Sequence, residues 1–438
     1  MPNDLSAFWM PFSANRAFKS SPRMIKAAKD NHYVASDGRK ILDSTAGLWC
    51  CNAGHCRKPV VEAVQQTVAK LDFAPTFQFG HPLAFELASR IVELAPDGLD
   101  HVFFANSGSE GVDTALKIAL AYHKMRGEGG RTRLIGRERG YHGTGFGGIS
   151  VGGIVNNRRF FGSLLSGVDH LPHTYNRAEQ AFTKGEPEWG VHLADELERI
   201  ITLHGADTIA AVIVEPMAGS TGVLPPPRGY LRRLREITSK HGILLIFDEV
   251  ISAFGRLGTP FAAQRYEVTP DMIVFAKGIT SGTIPMGGVI ASGEIYNAFM
   301  DGSPDGMIEL FHGYTYSGHP MACAAALATL NVYRDEGLFD QAAAMEPVFA
   351  DAAHSYLKDL DIVEDIRSCG LVAGIDITPV DGKPTKRAYN AMVDAYETRD
   401  MMIRVTGDTI ALSPPLTFTE TEIDQTFSNL RETLQAVA

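Results

Sequence analysis

The chain has 438 residues, of which 45% are hydrophobic, and a formal net charge of −11 at pH 7. The acidic balance argues against a nucleic-acid partner, which would need a basic face, and no apolar run approaches the roughly 20 residues of a membrane span. The start of the sequence shows no secretory signal, and the five cysteines, an odd number with two adjacent, are typical of a reduced cytoplasmic protein.

The N-terminal part of the chain begins with an aromatic segment, residues 8–12, that is too apolar for a free tail. We expect it to pack on a core or a partner subunit, or to line a pocket. A turn signal within residues 33–42 predicts a hairpin, and Trp49 follows in a loop rich in glycine and cysteine. Two cysteines and a histidine in residues 51–56 could form half of a metal site. No second pair at zinc spacing follows, so we expect buried thiols and no metal.

Short apolar runs and segments of helical period alternate through the middle of the chain. Strands are expected at residues 101–104, 133–136, 210–214, 243–247, 272–275 and 287–291. Helices are expected at residues 58–71, 82–94, about 112–120, 194–204 and 229–241. This alternation predicts a mainly parallel sheet with helices on both faces.

The last quarter of the chain mixes helices with strand pairs. Helices are expected at residues 320–336, 339–358, 385–399 and 420–437, and strands within 362–377, 402–406 and 409–413. We therefore expect an α/β fold whose large domain, residues 60–330, has a mainly parallel central sheet flanked by helices. Residues 331–438 are expected to form a smaller α+β domain, which the N-terminal segment, residues 1–59, joins.

Two central strands end in residues that carry chemistry. The unbroken apolar run at 243–247 leads into Asp248, and the run at 272–275 leads to Lys277. Such runs are typical of strands buried on both faces of a parallel sheet, and ligands bind at the carboxyl edge of such sheets. The acid and the amine predict either a salt bridge that closes two loops or a pyridoxal phosphate site. In such a site a lysine holds the cofactor as a Schiff base and an acid keeps its ring nitrogen protonated.

Three loops could complete this site. The turn Ser107-Gly108-Ser109 leads into a helix and could cradle a phosphate, or it could be an ordinary helix cap. The Tyr141 ring could stack on a flat cofactor or only pack in the core. The hydroxyl groups of residues 313–320 could bind phosphate or only begin a helix.

A rival interpretation comes from the glycine-rich segment 143–148. It matches the dinucleotide-binding pattern G-x-G-x-x-G, and Asp169 lies about where an acid would bind the ribose. A nicotinamide-dependent dehydrogenase is therefore an alternative. However, Gly152 and Gly153 interrupt the segment that would have to form the dinucleotide-binding helix, and no second half of that fold is evident.

Taken together, these motifs make the sequence similar to the class III, fold-type I, pyridoxal-phosphate aminotransferases. Within them it resembles the ω-amino acid:pyruvate (β-alanine:pyruvate) transaminases. The resemblance covers nearly the whole chain and is carried by residues 8–12, 43–49, 106–110, 141–143, 215–216, 248–250, 276–278, 313–320 and 404–408. One departure is Ala218, where many members of the class carry glutamine, and this argues against the ornithine and GABA branches.

The resemblance implies a role for each matching residue. Lys277 is the Schiff-base lysine and Asp248 the partner of the pyridinium nitrogen, and these two are the catalytic residues. The residues implied in cofactor binding are Ser107, Gly108, Ser109, Tyr141, His142, Glu215, Asp248, Val250, Lys277 and, from the other subunit, Thr315. The residues implied in the substrate pocket are Trp49, Arg404, Phe12 and Phe77.

The implied activity is pyridoxal 5'-phosphate-dependent transamination of an ω-amino acid or primary amine, such as β-alanine, with pyruvate as acceptor. The products are alanine and an aldehyde or ketone, and the enzyme is a homodimer or a dimer of dimers with shared active sites. Another class III enzyme, an aminomutase or a decarboxylase, stays open as an alternative because it would share Lys277 and Asp248. A non-enzymatic scaffold on this fold would be expected to lose one of them, and neither is lost.

Overall fold

Three β-sheets organise the described residues, 4–438, in the computed structural model of the chain. The central sheet has seven strands, in spatial order Leu99–Ala105, Gly287–Ser292, Met272–Ala276, Leu244–Asp248, Ile209–Val214, Arg133–Arg137 and Val168–Leu171. One four-stranded sheet contains Ile25–Lys29, His32–Ala35, Lys40–Asp43 and Met401–Met402. The other contains Val363–Ser368, Ala373–Ile377, Thr409–Leu412 and Arg404–Thr406.

The strands of the central sheet run parallel except for Gly287–Ser292, which is antiparallel to both of its neighbours. Along the strand in the middle of the sheet, Leu245 and Phe247 join one hydrophobic cluster. Leu244 and Ile246 join another cluster, because successive side chains of a strand point to opposite faces. Both faces are therefore buried, which explains why the apolar run is unbroken. The predicted α/β fold with a mainly parallel sheet is confirmed.

Helices pack against both of these clusters. Gly108–Met125 contributes to the cluster that contains Ile246, whereas Tyr230–His241 and Pro320–Asp335 contribute to the cluster that contains Phe247. The remaining helices are Asn15–Ser20, Ala46–Trp49, Lys58–Lys70, Pro82–Val92, Phe146–Val151, Val155–Arg158, Arg177–Gln180, Glu196–His204, Ala262–Arg265, Gly293–Gly302, Leu338–Leu357, Lys386–Thr398 and Glu420–Ala436, with tighter 3-10 turns at Val191–Asp195, Ala206–Thr208 and Lys277–Thr280. None of the helices in the described part of the chain is both long enough and apolar enough to cross a membrane.

The first and last parts of the chain share a sheet. The short strand Met401–Met402 pairs in parallel with Lys40–Asp43, and Met402 lies opposite Asp43. This pairing places the segment that precedes Arg404 beside the loop that leads to Trp49. The predicted domain boundaries, at residues 59/60 and 330/331, stay a prediction.

The sequence prediction missed two strands and seven helices, each of ten residues or fewer. Ile25–Lys29 and Val168–Leu171 are edge strands of their sheets, and most of their side chains are exposed or half-buried. Edge strands of this kind bury too little surface to leave a clear apolar pattern in the sequence. The helix Phe146–Val151 has only six residues, two of them glycine, so its propensity for helix is low.

Candidate active site

The ends of two neighbouring parallel strands bring Asp248 and Lys277 to one edge of the central sheet. Asp248 is the last residue of its strand and pairs with Val274, three residues before Lys277. Lys277 begins a 3-10 turn with a left-handed backbone, at φ +51°. Burial lowers the pKa of the Lys277 amine, an effect that the nearby Cys50 and Asp248 oppose. The edge is the one at which the sequence predicted the two residues to meet.

The buried carboxylate of Asp248 is held by a histidine and a backbone amide. Its Oδ2 lies 2.8 Å from Nδ1 of His142, and its Oδ1 accepts a hydrogen bond from the Val250 N–H at 3.1 Å. In residues 4–438 the side chain that lies against the Asp248 carboxylate is that of His142, and no salt bridge joins Asp248 to Lys277. The salt bridge between acid and lysine that was one alternative is therefore wrong.

A second buried carboxylate, that of Glu215, fixes the loop that carries His142. Its Oε1 accepts a hydrogen bond from the backbone N–H of Tyr141 at 2.8 Å, and its Oε2 accepts one from Gly219 at 3.2 Å. Burial raises the pKa of Glu215, and burial likewise raises the pKa of the Tyr141 phenol. Tyr141 and His142 therefore occupy fixed positions beside Asp248.

A helix N-terminus lies at the same edge. Ser107 caps the helix, since its hydroxyl accepts a hydrogen bond from a first-turn amide at 3.2 Å. A Cβ on Gly108 would lie 2.8 Å from a methyl group of Val250, so only glycine allows this approach. The helix is 18 residues long, and the free N–H groups and dipole at its start favour an anion. The turn is thus both a helix cap and a position suited to phosphate.

The hydroxyl of Ser109 joins this helix to the glycine-rich segment that follows His142. Its Oγ accepts a hydrogen bond from the Thr144 N–H at 3.1 Å, and a Cβ on Gly143 would lie only 2.4 Å from it. The glycines of this segment therefore serve a close contact with the helix start. The helix of the segment itself, Phe146–Val151, is too short to be a dinucleotide-binding helix.

Trp49 and Arg404 lie against each other on another side of the site. The guanidinium carbon of Arg404 is 5.8 Å from the centre of the Trp49 ring, which is only 3% exposed. The Nη1 of Arg404 and the Nε1 of Trp49 are buried without a hydrogen-bond partner among the described residues. Burial lowers the pKa of Arg404, and only Tyr141 opposes this effect. The pair presents a poorly solvated cation beside an aromatic surface.

Three of the predicted site residues lie at the surface of the single chain. Phe12 is 80% exposed, Phe77 is 56% exposed, and Thr315 is exposed as well. Phe77 lies next to the loop of Thr315, because a Cβ on Gly313 would be 2.9 Å from the Phe77 ring. Within one chain these residues are not enclosed in a pocket, in contrast to Trp49.

Sequence analysis missed two buried polar residues, Asn52 and Arg256, that support the turn at Lys277. Asn52 packs under the turn that begins at Lys277, since a Cβ on Gly278 would lie 2.7 Å from its amide nitrogen. The fully buried Arg256 donates to the Asn52 side-chain oxygen at 2.7 Å and to the Leu371 carbonyl at 3.2 Å. Burial lowers the pKa of Arg256 to about 10. A charged residue inside the apolar stretch 254–257 was the signal that could have indicated it.

These groups fit a phosphorylated pyridine cofactor. A buried acid that is oriented by His142 suits a protonated ring nitrogen, and the desolvated Lys277 amine suits an aldehyde. Gly108, where a Cβ would meet Val250, adds no side chain at the helix start, whose N–H groups favour a phosphate. An acid, an amine and a helix N-terminus that suit such a cofactor therefore lie at this edge.

Comparison with known proteins gives a consistent result. A family model described as Aminotransferase class-III matches residues 13–434. An omega-aminotransferase of Caulobacter vibrioides is 60% identical, over 99% of this chain and 98% of the relative. A beta-alanine–pyruvate aminotransferase of Pseudomonas aeruginosa is 50% identical, over 99% of this chain and 97% of the relative. A solved amine transaminase from an uncultivated Pseudomonas species, in its PLP-bound form, superimposes with a TM-score of 0.93 at 34% identity, with full coverage of both chains.

Proposed function

The chain belongs to the class III aminotransferases, whose cofactor is pyridoxal 5'-phosphate, and on this premise we propose that it transfers the amino group of an ω-amino acid or primary amine to pyruvate. The products are alanine and an aldehyde or ketone. The names of two relatives support this choice of substrates, an omega-aminotransferase and a beta-alanine–pyruvate aminotransferase. The nicotinamide-dependent dehydrogenase that the glycine-rich segment suggested is wrong for a member of this family.

The observation that carries the proposal is the contact between Arg404 and Trp49. The Nη1 of Arg404 is buried and unpartnered among the residues described, and a planar guanidinium pairs strongly with a carboxylate through two parallel hydrogen bonds. The carboxylate of β-alanine or pyruvate is such a partner. When the amine carries no acid, Arg404 moves aside and the Trp49 ring supplies an apolar wall.

The cofactor would be held by residues from several loops of the sheet edge. Lys277 would bind its aldehyde, Asp248 would contact its ring nitrogen, and Tyr141 and Val250 would cover the two faces of the ring. The residues that would bind the phosphate or support the ring are Ser107, Gly108, Ser109, His142, Glu215 and, from a second subunit, Thr315. When bound, the cofactor supplies a protonated ring that accepts the electrons released as the amine-bearing carbon loses a proton.

Lys277 is the group that moves this proton. Its amine would take the proton from the amine-bearing carbon and give it up to the cofactor, which requires the amine to be uncharged for part of the cycle. Burial lowers its pKa from the ordinary lysine value of 10.5 and so increases the uncharged fraction near neutral pH. Asp248, oriented by His142, would keep a proton on the ring nitrogen of the bound cofactor.

A homodimer, or a dimer of dimers, completes the site in this proposal. Large apolar side chains are exposed on the single chain, and exposed apolar surface of this kind is typical of a protein interface. They include Phe8, Trp9, Phe12, Phe77, Phe79, Phe85 and Phe311. A second copy would cover them and bring Thr315 to its partner's phosphate site. The enzyme acts in the cytoplasm on small amines and keto acids, without a nucleic-acid or membrane partner.

The test is to incubate the purified protein with pyruvate and a panel of amines, and to measure the alanine formed. β-Alanine, longer ω-amino acids and a simple aryl amine are compared, with 2-oxoglutarate replacing pyruvate as the control acceptor. Alanine formed in step with loss of the amine is the expected result. An aminomutase or a decarboxylase would change the amine without consuming pyruvate, and that outcome would contradict the proposal.

A further inference from the structure

The carboxylate of Asp43 is fully buried and has four hydrogen-bond donors around it. Its Oδ1 accepts from the Thr45 N–H at 3.0 Å and lies 2.9 Å from the Thr45 hydroxyl, whose single hydrogen is shared with the Gly47 carbonyl at 2.8 Å. Its Oδ2 accepts from the Gly47 N–H at 2.7 Å and lies 2.7 Å from Nε2 of His55. A buried carboxylate with so many donors fixes each group that binds it, because breaking any one bond leaves charge less well compensated.

The loop held by Asp43 has an unusual backbone. Ala46 has a φ of +45°, Gly47 of +67° and Trp49 of +65°. Residues other than glycine rarely adopt this left-handed region, and such conformations persist only where the surrounding structure imposes them. The hydrogen bonds that Asp43 accepts from the backbone N–H groups of Thr45 and Gly47 impose it on both sides of Ala46.

This backbone carries the Trp49 ring to Arg404, whose guanidinium carbon lies 5.8 Å from the ring centre. Asp43 is also tied to the segment that carries the arginine. It lies opposite Met402 in the parallel strand pair, and the Ser44 N–H donates to the Met402 carbonyl at 3.3 Å. The two residues of the pocket are thus anchored to the same short stretch of chain.

His55 holds Asp43 from the other side. Its ring packs on Tyr33 with 4.3 Å between ring centres, and its backbone exchanges hydrogen bonds of 2.7 and 3.2 Å with Asp30. These contacts fix the imidazole independently of Asp43. His55 therefore acts as a rigid support that sets where the carboxylate, and with it the loop, can lie.

We propose that Asp43 and His55 form a positioning pair, which sets the spacing of Trp49 and Arg404 and so determines how well the pocket binds carboxylate-bearing substrates. This role rests on the proposed function, in which Trp49 and Arg404 form the substrate pocket. Neither residue of the pair touches the reacting atoms. Loss of the pair should therefore weaken substrate binding, and mainly for substrates that need Arg404.

The test is His55→Phe, which keeps an aromatic ring on Tyr33 and removes the donor to Asp43. The expected result is a rise in KM of about tenfold or more for β-alanine and pyruvate, since small misplacements of a positioning group have effects of this size. The half-reaction with a neutral aryl amine should change by no more than about twofold. His55→Gln, which can still donate, should recover most of the loss.

Two further variants make the test specific. His101→Phe is the matched control, because His101 also stacks on a tyrosine, Tyr296, with 3.7 Å between ring centres. His101 lies near the start of its strand and therefore away from the edge that carries the site. This control should leave every KM unchanged. In a Trp49→Phe background, His55→Phe should add little further effect, because it acts through the tryptophan. Full additivity of the two substitutions would overturn the proposal.

A purely structural role would give a different pattern. His55→Phe would then lower the thermal unfolding midpoint and reduce activity equally for acidic and neutral amines. An equal loss for both kinds of amine would overturn the inference. An unchanged KM for β-alanine and pyruvate would overturn it as well. If His55→Phe fails to fold, Thr45→Val removes a single hydroxyl donor to Asp43 and should show the same selective rise, smaller in size. A wild-type protein that makes no alanine contradicts the proposed function instead, and the KM comparison is then made with the substrates it does use.

Discussion

The imidazole of His142 lies against the carboxylate of Asp248, with 2.8 Å between Nδ1 and Oδ2, and both side chains are buried. The other ring nitrogen, Nε2, has no partner within the described part of the chain. The Val250 N–H donates to the second carboxylate oxygen at 3.1 Å. The carboxylate is therefore held in one orientation by two donors from different loops, as a group that must meet a cofactor ring requires.

Replacing Asp248 tests whether its charge, and not only its hydrogen bond, is needed. Asp248→Asn keeps a polar side chain of the same size but removes the charge that keeps the ring nitrogen protonated. We expect kcat to fall roughly a hundredfold or more, because an electrostatic contact made in the transition state is lost. Asp169→Asn is the matched control, since Asp169 pairs with Arg133 at the far edge of the sheet. A variant at Asp248 that turned over at nearly the native rate would contradict the role.

Borohydride reduction tests whether Lys277 carries the cofactor. The native protein should be yellow, and reduction should fix the cofactor to the peptide that contains Lys277. Lys277→Ala should bind cofactor without covalent attachment and lose turnover. Label on Lys184 or Lys240, which pair with acids at the surface, would exclude the assignment.

The sequence predicts those residues of the site that belong to a recognisable local pattern, and it does not predict those whose contacts come from distant segments. Asp248 ends one unbroken apolar run and Lys277 lies just past the end of another, so both are predicted at the carboxyl edge of a parallel sheet. The contact of Asn52 with Arg256 spans about two hundred residues and arises only from packing of distant segments. His55 was grouped with neighbouring cysteines because they are close in sequence, yet its imidazole pairs with Asp43. Local spacing could not reveal that partner, since the loop between them folds back on itself.

The buried Glu249, next to Asp248, should make stability depend on pH. Burial raises its pKa to about 7, against an ordinary value of 4.5, although it accepts a hydrogen bond from Ala263 at 2.9 Å. The folded chain then binds this proton more tightly than the unfolded chain, so the contribution of Glu249 to stability falls as pH rises from about 4.5 to 7. Glu249→Gln should remove this part of the pH dependence. The measurement is the unfolding midpoint of variant and wild type at several pH values in that window, and the difference between the two should change with pH. A difference that stays constant with pH would contradict the prediction.

Mixed dimers test whether Thr315 acts across the subunit interface. Lys277→Ala and Thr315→Ala are co-expressed with different tags, and the heterodimer is purified through both. If Thr315 serves the partner's site, one site of the heterodimer carries both defects and the other carries neither. Activity per heterodimer should then be about half that of the native dimer and above that of either single mutant. A heterodimer without this recovery would place Thr315 at the site of its own chain.

Arg404→Ala tests the dual use of the pocket. The variant loses a charge-assisted pair with the substrate carboxylate, which costs on the order of 1.5–3 kcal/mol, so the KM for pyruvate and β-alanine should rise about tenfold to a hundredfold. The half-reaction with a simple aryl amine should stay nearly unchanged, because that amine meets the Trp49 wall and not the guanidinium. Arg228→Ala is the control, since Arg228 forms a surface pair with Glu188 at 2.9 Å and such pairs contribute little. Equal losses for acidic and neutral amines would show that Arg404 supports the fold of the pocket and does not recognise the carboxylate.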